Sequence, residues 1–545
     1  MPSARILITD PVDTVCANYL QKNGLHVDQI KLTKEQLIEN IKNYDGLIVR
    51  SETKVTADIL AAATGLKVVG RAGTGVDNVD LEAATKKGIL VMNTPGGNTL
   101  SAAEHTCALI ASMARNIPQA CASLKQGAWD RKLYSGHELS GKTLAILGLG
   151  RIGKEVALRM QSYGMKTIGY DPIIPAEVTA QFGVESMDLE KIWPVADYIT
   201  VHVPLIPQTK HLINDEVFKK CKPGVKVVNV ARGGIIDELS LLKNLKSGLC
   251  GGAGLDVFVE EPVKSEYYKE LLAHPKMVCT PHLGASTSEA QLRVAEEIAE
   301  QFVSFFKGEG FVGAVNAGSL LTAMEAQNVK WVNLGRSLGI FSSILGSVSK
   351  FDIITHGSDT PDIKFLESAV VSGYLVGELN DESINLINAG SIAIDKGIQC
   401  TVNKGPPPSP PSMKSLRIVA TTNKGIFTLI GRVGSDTLGL LTEINNNIFA
   451  GGLPLDGTMV FFTGNLTPPG TCFARIDEAL AQKDLTAISV FRSNTVGQIG
   501  WYAARLADDL SERVELLSSD DFRYLGCRNF LYHSYALSKD SSDED

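Results

Sequence analysis

At 545 residues the chain exceeds a single ordinary hydrophobic core, and 44% hydrophobic with 21% charged residues place it among globular proteins of two to four domains. Its 52 lysines and arginines against 60 aspartates and glutamates give a formal charge of −8, which excludes general attraction to nucleic acid or an anionic membrane; an anionic ligand needs a local cluster of cations. The nine cysteines are odd in number and never spaced C-x-x-C, which excludes a disulfide framework or a zinc site. With no signal-peptide layout and no long apolar run, a cytoplasmic protein without a metal is expected.

Short β-branched runs alternate with longer amphipathic stretches over the first three hundred residues. ARILITD, GLIVRS, LKVVGRA and GILVMN come first, followed by KTLAILGLG, KTIGYD, DYITVHVP, VKVVNVARGG, GAGLDVF and KMVCTPH. Runs of this kind are buried on both faces and imply βαβ units, and about ten of them exceed one comfortable sheet, so two parallel sheets are expected. The division falls near residue 98, where MNTPGGN gives way to the helical pattern SAAEHTCALIASMARNIPQACASLKQG, and a second α/β domain covers 99–283. A helix over SEAQLRVAEEIAEQFVSFFKG follows, with acidic residues early and apolar positions at helical spacing.

Beyond 314 the composition changes. FDIITHGS, SGYLVGEL and SIAIDKGIQCTV read as an α+β unit over 314–403, and KGPPPSPPS at 404–412 as a semi-rigid polyproline spacer. Residues 413–515 read as a further globular domain and 516–545, ending in SKDSSDED, as a charged tail.

KTLAILGLGRIGKEVALRM joins an apolar strand to a helix through Gly148, Gly150 and Gly153 in G-x-G-x-x-G spacing. The first glycine permits the tight turn, the second lets a pyrophosphate reach the backbone, and the third packs the helix on the strand. Ile152 lies inside this turn, and Arg151 is placed either to meet the pyrophosphate or as a solvated helix residue. The next strand ends in Asp171, 18 positions after Gly153, where a carboxylate bonds the ribose hydroxyls of NAD and repels the extra phosphate of NADP.

Three polar signals follow at strand ends: Arg232 in VVNVARGGIIDE, Asp256 and Glu261 in GLDVFVEEP, and His282 in VCTPHLGAST. Together they fit oxidation of a 2-hydroxy acid. His282 takes the hydroxyl proton as the hydride leaves, Glu261 orients the imidazole, and Arg232 grips the carboxylate and the developing ketone oxygen. Each has a structural alternative: His282 as a helix cap, Glu261 as a solvated residue before Pro262, Arg232 as a partner of Asp237. In the first domain, Arg50 and Ser51 of IVRSETKV, Arg71, and the backbone N–H groups of Gly73, Thr74 and Gly75 suit a phosphorylated carboxylic acid.

With these stretches, together with GRAGTGVDNVDLEAATKKGILVMNTPGGNTLSAAEHT and PHLGAST, the chain resembles the D-isomer-specific 2-hydroxyacid dehydrogenases over about residues 1–310, and among them the long animal-type members. The resemblance implies α/β architecture with two doubly wound parallel-sheet domains, a flavodoxin-like substrate domain over 1–98 plus 284–313 and a Rossmann NAD domain over 99–283, followed by α+β C-terminal domains. It implies oxidation of 3-phosphoglycerate to 3-phosphohydroxypyruvate with NAD, and a catalytic set of Arg232, Glu261 and His282. NAD contacts fall on Thr74, Arg151, Ile152, Asp171, Val203, Pro204, Val230, Ala231, Arg232, Asp256, His282, Leu283, Gly284 and Ala285. Relatives often carry threonine at Val203, so a side-chain hydrogen bond is absent there.

The resemblance also implies a homodimer or homotetramer in which GAWDRKLYSGHEL reaches a neighbouring subunit, with Arg131 or Lys132 adding positive charge to its site. Long members end in an intervening domain, which 314–403 matches, and a serine-binding regulatory domain, which 413–515 matches only loosely. Two other readings share the same residues: a reductase of glyoxylate, hydroxypyruvate or another 2-oxo acid, and an NAD(H)-sensing, corepressor-like binding protein.

Overall fold

The computed structural model describes residues 4–308, 312–357, 364–406, 414–433, 439–465, 469–494, 499–507, 516 and 522–530. The chain divides into two compact units, one of Met1–Pro11, Cys16–Asn93 and Ile298–Asp545, the other of Val12–Val15 and Thr94–Glu297.

In the first unit β1 (Arg5–Ile8), β2 (His26–Gln29), β3 (Gly46–Val49), β4 (Val68–Arg71) and β5 (Leu90–Asn93) form a parallel sheet in the order β2-β1-β3-β4-β5. This is the flavodoxin-like order. β3 is buried throughout and β1, β4 and β5 at all but one end residue, as a sheet covered on both faces requires. β2 was not among the expected strands: its sequence, HVDQ, lacks an apolar run, as an edge strand with exposed ends can. Glycines at 46 and 70 open a slot that the Phe302 ring fills; a Cβ at Gly70 would lie 2.3 Å from that ring. Phe302 is fully buried, and such a ring is worth about 3–5 kcal/mol against alanine.

The free edge of β5 is closed by the segment at 313–316. Asn93 N–H donates to Gly313 O (3.0 Å), Val315 N–H to Val91 O (2.8 Å), and Val91 N–H to the Asn316 side chain (2.8 Å). An otherwise exposed ladder of backbone groups is thereby paired.

In the second unit β6 (Thr143–Leu147), β7 (Lys166–Tyr170), β8 (Glu185–Ser186), β9 (Tyr198–Val201), β10 (Val225–Asn229), β11 (Cys250–Leu255) and β12 (Met277–Cys279) are also parallel, in the order β12-β11-β10-β9-β6-β7-β8. Strand order reverses between β6 and β9, and ligands of open α/β sheets bind outside the carboxyl ends of strands at such a switch point. β8, only two residues long and exposed, was also not expected. The units divide at Asn93/Thr94 and Glu297/Ile298 rather than at the expected 98/99 and 283/284, so the helix Ser288–Lys307 contributes to both.

The rest of the first unit departs further from expectation. β13 (Val348–His356) pairs in parallel with β14 (Gln399–Lys404) and antiparallel with β15 (Ser415–Thr422). β16 (Gly425–Val433), β17 (Gly439–Ile444) and β18 (Asn447–Pro454) complete a six-stranded sheet. The expected separation of 314–403 from 413–515 is therefore corrected: one sheet runs across the proline-rich stretch, of which 407–412 lie outside the described residues. Both edges of β13 need partners, and the sequence supplies apolar runs on both sides of the prolines.

The helices Ala326–Ser342 and Lys364–Leu379 pack with this sheet through Leu334, Leu338, Phe341, Phe365, Leu366 and Val370. A second sheet of β19 (Gly457–Asn465), β20 (Ala487–Arg492), β21 (Ile499–Leu506) and β22 (Phe522–Phe530) runs in the order β20-β21-β19-β22. β22 falls inside the expected tail at 516–545, which is corrected accordingly; 531–545 lie outside the described residues. Among the described residues no helix is long and apolar enough to cross a membrane.

Candidate active site

The phosphate loop leaves β6 at Leu147. Gly148 has a φ of +94°, and a Cβ there would lie 2.4 Å from the His202 carbonyl oxygen, so the turn after β6 admits only glycine there. A Cβ at Gly153 would lie 2.0 Å from the Gly148 carbonyl oxygen. Around Gly150, by contrast, a Cβ would meet nothing within 4 Å. Gly150 is also the N-cap of the helix Arg151–Ser162, and no side chain caps it. Unfilled space, uncapped N–H groups and the positive helix end are what a pyrophosphate requires, so the loop fits a dinucleotide.

Asp171 follows β7. Its carboxylate accepts from Leu149 N–H at 2.9 Å, Ile173 N–H at 2.8 Å and Ile174 N–H at 3.1 Å, tying the phosphate loop to the end of the next strand. Ribose hydroxyls would share these two oxygens with three backbone donors. On the other side of β6, His202 N–H donates to Leu147 O (2.7 Å) and places Val203 and Pro204 beside the turn. The His202 ring meets Thr200 Oγ1 at 3.0 Å, and burial pushes its pKa down to about 4, leaving it neutral there. Sequence reasoning did not single out His202; its only signal is its place at the end of a strand.

Loops after three neighbouring strands carry the polar set. After β10, the buried Asn229 accepts from Ala231 N–H (3.0 Å) and donates to Arg232 O (2.7 Å), which fixes the half-buried Arg232; its Nη1 donates to Ala231 O at 2.6 Å. After β11, Asp256 is wholly buried; Thr280 Oγ1 (2.6 Å), Leu283 N–H (2.7 Å) and Gly284 N–H (2.8 Å) all donate to it. His105 Nε2 stands 2.9 Å from Thr280 Oγ1 and 3.3 Å from Asp256. Burial works to raise the Asp256 pKa, but these hydrogen bonds outweigh it and hold the carboxyl below its ordinary value of 3.8. Asp256 thus organises the loop after β12, a role the sequence did not suggest. Gly284 lies against Val230, where a Cβ would be 2.7 Å from Val230 Cγ1, and Ala285 O accepts from the Gln291 side chain.

His282 sits in that loop with a φ of +57°, a conformation uncommon outside glycine, and its N–H donates to Asp256 O at 2.8 Å. Its Nδ1 lies 2.6 Å from Glu261 Oε2, and Glu261 Oε1 accepts from Phe258 N–H at 2.9 Å. Burial acts to raise the Glu261 pKa; the bonds from His282 and Phe258 prevail and lower it, so the group stays ionised at neutral pH. An ionised Glu261 fixes the proton of a neutral imidazole on Nδ1 and leaves the Nε2 lone pair available. The structural alternatives are taken by other residues: Thr287 caps the following helix through Ala290 N–H, and Asp237 caps the helix Glu238–Ser247 through Leu239 and Ser240 N–H.

In the first unit, the buried Asp10 accepts from the N–H groups of Arg50 (2.7 Å) and Thr53 (3.1 Å), and Asn78 donates to the carbonyls of both at 2.6 Å. These contacts define the loop after β3 that bears Arg50 and Ser51. Burial lowers the Arg50 pKa from its ordinary value, against Asp10 and Glu52. After β4, the Arg71 guanidinium folds over Gly73, and Asn93 Nδ2 donates to Thr74 O at 2.6 Å ahead of Gly75. Arg131, in the second unit, is exposed.

The family described as D-isomer specific 2-hydroxyacid dehydrogenase, NAD binding domain, matches residues 107–284. D-3-phosphoglycerate dehydrogenase of Homo sapiens is 49% identical over 456 residues, which are 83% of this chain and 85% of that protein. D-3-phosphoglycerate dehydrogenase 2, chloroplastic, of Arabidopsis thaliana is 38% identical over 508 residues, 92% of this chain and 78% of that one. Among solved structures, D-lactate dehydrogenase from Aquifex aeolicus complexed with NAD and lactic acid superposes with a TM-score of 0.51 at 27% identity, covering 56% of this chain and 96% of that chain.

The depressed pKa of Asp256 sets a pH-dependent stability. Its contribution is present above 3.8 and is lost as pH falls through the lower folded-state value. Asp256→Asn should therefore cost about 2–3 kcal/mol in urea unfolding at neutral pH, a gap that narrows below 3.8. A gap independent of pH would contradict the ionised anchor.

Proposed function

The chain belongs to the D-isomer-specific 2-hydroxyacid dehydrogenases, NAD-dependent oxidoreductases, and from that premise we propose that it oxidises 3-phosphoglycerate to 3-phosphohydroxypyruvate, the first step of phosphorylated serine synthesis. The observation that carries the chemistry is the 2.6 Å contact between Glu261 and His282. The loop of Gly148, Gly150 and Gly153, with Asp171 toward the ribose, would hold NAD, which would supply the hydride acceptor for C2. His282 Nε2 takes the hydroxyl proton as the C2–O bond becomes a ketone, and Glu261 stabilises the imidazolium that forms. Arg232 pairs with the substrate carboxylate and with the negative charge growing on the C2 oxygen.

Arg50, Ser51, Arg71 and the N–H groups of Gly73, Thr74 and Gly75 are the proposed partners of a phosphorylated acid, which a chain of net charge −8 must hold with local cations. The remaining proposed cofactor contacts, Thr74, Arg151, Ile152, Val203, Pro204, Val230, Ala231 and Leu283 to Ala285, rest on the family resemblance. We also infer a homodimer through the second unit. Ile117, Leu124, Trp129 and Leu133 are 52%, 55%, 77% and 70% exposed, four apolar side chains in the stretch that holds Arg131, which a second copy would cover.

Two measurements test these readings. NADH formation should be faster with 3-phosphoglycerate than with D-lactate or D-glycerate, and His282→Ala should lower kcat about 10²–10⁴-fold while NADH still binds. Equal rates with and without the phosphate would remove the substrate assignment, and near-normal turnover of His282→Ala would remove the proton carrier. In sedimentation, the wild type should run as a dimer or larger and Trp129→Ser/Leu133→Ser as a smaller species. An unchanged sedimentation coefficient would place the interface elsewhere.

A further inference from the structure

We propose that Glu238 and Tyr268 form a positioning pair that fixes the turn bearing Glu261 and, through it, the imidazole of His282. The inference rests on the roles proposed above for Glu261 and His282. Residues 257–262 lie outside helix and sheet, so their amide groups have no ladder to join. Phe258 N–H donates to Glu261 Oε1 at 2.9 Å, Val259 N–H to Glu238 Oε1 at 2.8 Å, and Glu260 N–H to Tyr268 Oη at 3.0 Å. Three consecutive amides thus end on three different side chains, and one of these is Glu261 itself.

Glu238 is only 5% exposed, at the start of the helix Glu238–Ser247. Its Oε2 accepts from Tyr268 Oη–H at 2.8 Å and Tyr267 Oη–H at 2.9 Å. Tyr268 is the hinge of the arrangement: having given its proton to Glu238, its oxygen is an acceptor aimed at Glu260 N–H. Its ring, 2% exposed, meets Phe258 edge-on at 5.8 Å and stacks on Tyr267 at 4.2 Å, so the same side chain packs the turn it bonds.

The loop after Arg232 joins the same body. A Cβ at Gly233 would lie 2.0 Å from the Phe258 carbonyl, so backbone meets backbone there. Glu238, six residues beyond Arg232, then reaches across to Val259. Neither Glu238 nor Tyr268 touches a reacting atom; both act through the placement of Glu261.

The test is a double-mutant cycle on the full-length enzyme with 3-phosphoglycerate, with thermal midpoints and NADH binding followed in every variant. Tyr268→Phe keeps the ring and removes the hydroxyl, and should lower kcat about tenfold with KM for NAD unchanged. In a Glu261→Gln background the same change should cost less than about twofold, because the carboxylate it places is already gone. Tyr267→Phe leaves Glu260 N–H served and should cost less than about threefold. Glu238→Gln supplies the same cycle if Tyr268→Phe does not fold. An equal loss in both backgrounds, or no loss in the wild type, overturns the proposal while leaving the role of Glu261 intact. Wild-type turnover by Glu261→Gln alone removes the role of Glu261 and the positioning pair with it.

Discussion

The hydrogen bond between His282 Nδ1 and Glu261 Oε2 spans two loops that leave adjacent strands, and at 2.6 Å it tolerates little error in either. Several polar contacts of the second unit serve that tolerance. Asp256 draws in the N–H groups of Leu283 and Gly284 on one side, and Phe258 N–H holds the Glu261 carboxylate on the other. The left-handed backbone at His282 is a local cost that the Asp256 anchor offsets. A catalytic histidine here is less a residue than the end point of two constrained loops.

Charge follows the same economy. Asp256 and Glu261 carry negative charge near one histidine, yet they differ in use: the first is sealed among protein donors, the second keeps one oxygen for the imidazole. A sealed carboxylate gives shape, and a half-exposed one gives chemistry. The cofactor loop applies the principle in reverse, since Gly150 leaves backbone donors uncapped where a ligand's own oxygens would complete them.

Legibility in the sequence follows from whether a function is written locally. Gly148, Gly150 and Gly153 stood out because their spacing is confined to one turn, and Arg232, Glu261 and His282 because strand ends are marked by the apolar runs before them. Asp10, whose partners Arg50 and Thr53 lie 40 and 43 residues on, and Glu238, with Tyr268 30 residues on, were not readable, because nothing near either residue names its partner. Strand β2 lacked an apolar pattern because an edge strand needs little of one. The prolines after β14 were over-read: composition could not report that β13 pairs with strands from both sides of them.

The chemistry turns on one proton. If Glu261 is ionised and bonded as described, neutral His282 carries its hydrogen on Nδ1 and presents a bare Nε2 to the substrate. Nitrogen NMR of protein labelled with ¹⁵N in its nine histidine rings resolves this directly, His282 being the resonance pair lost in His282→Gln. The account predicts the Nδ1–H tautomer; an Nε2–H tautomer at His282 would contradict it.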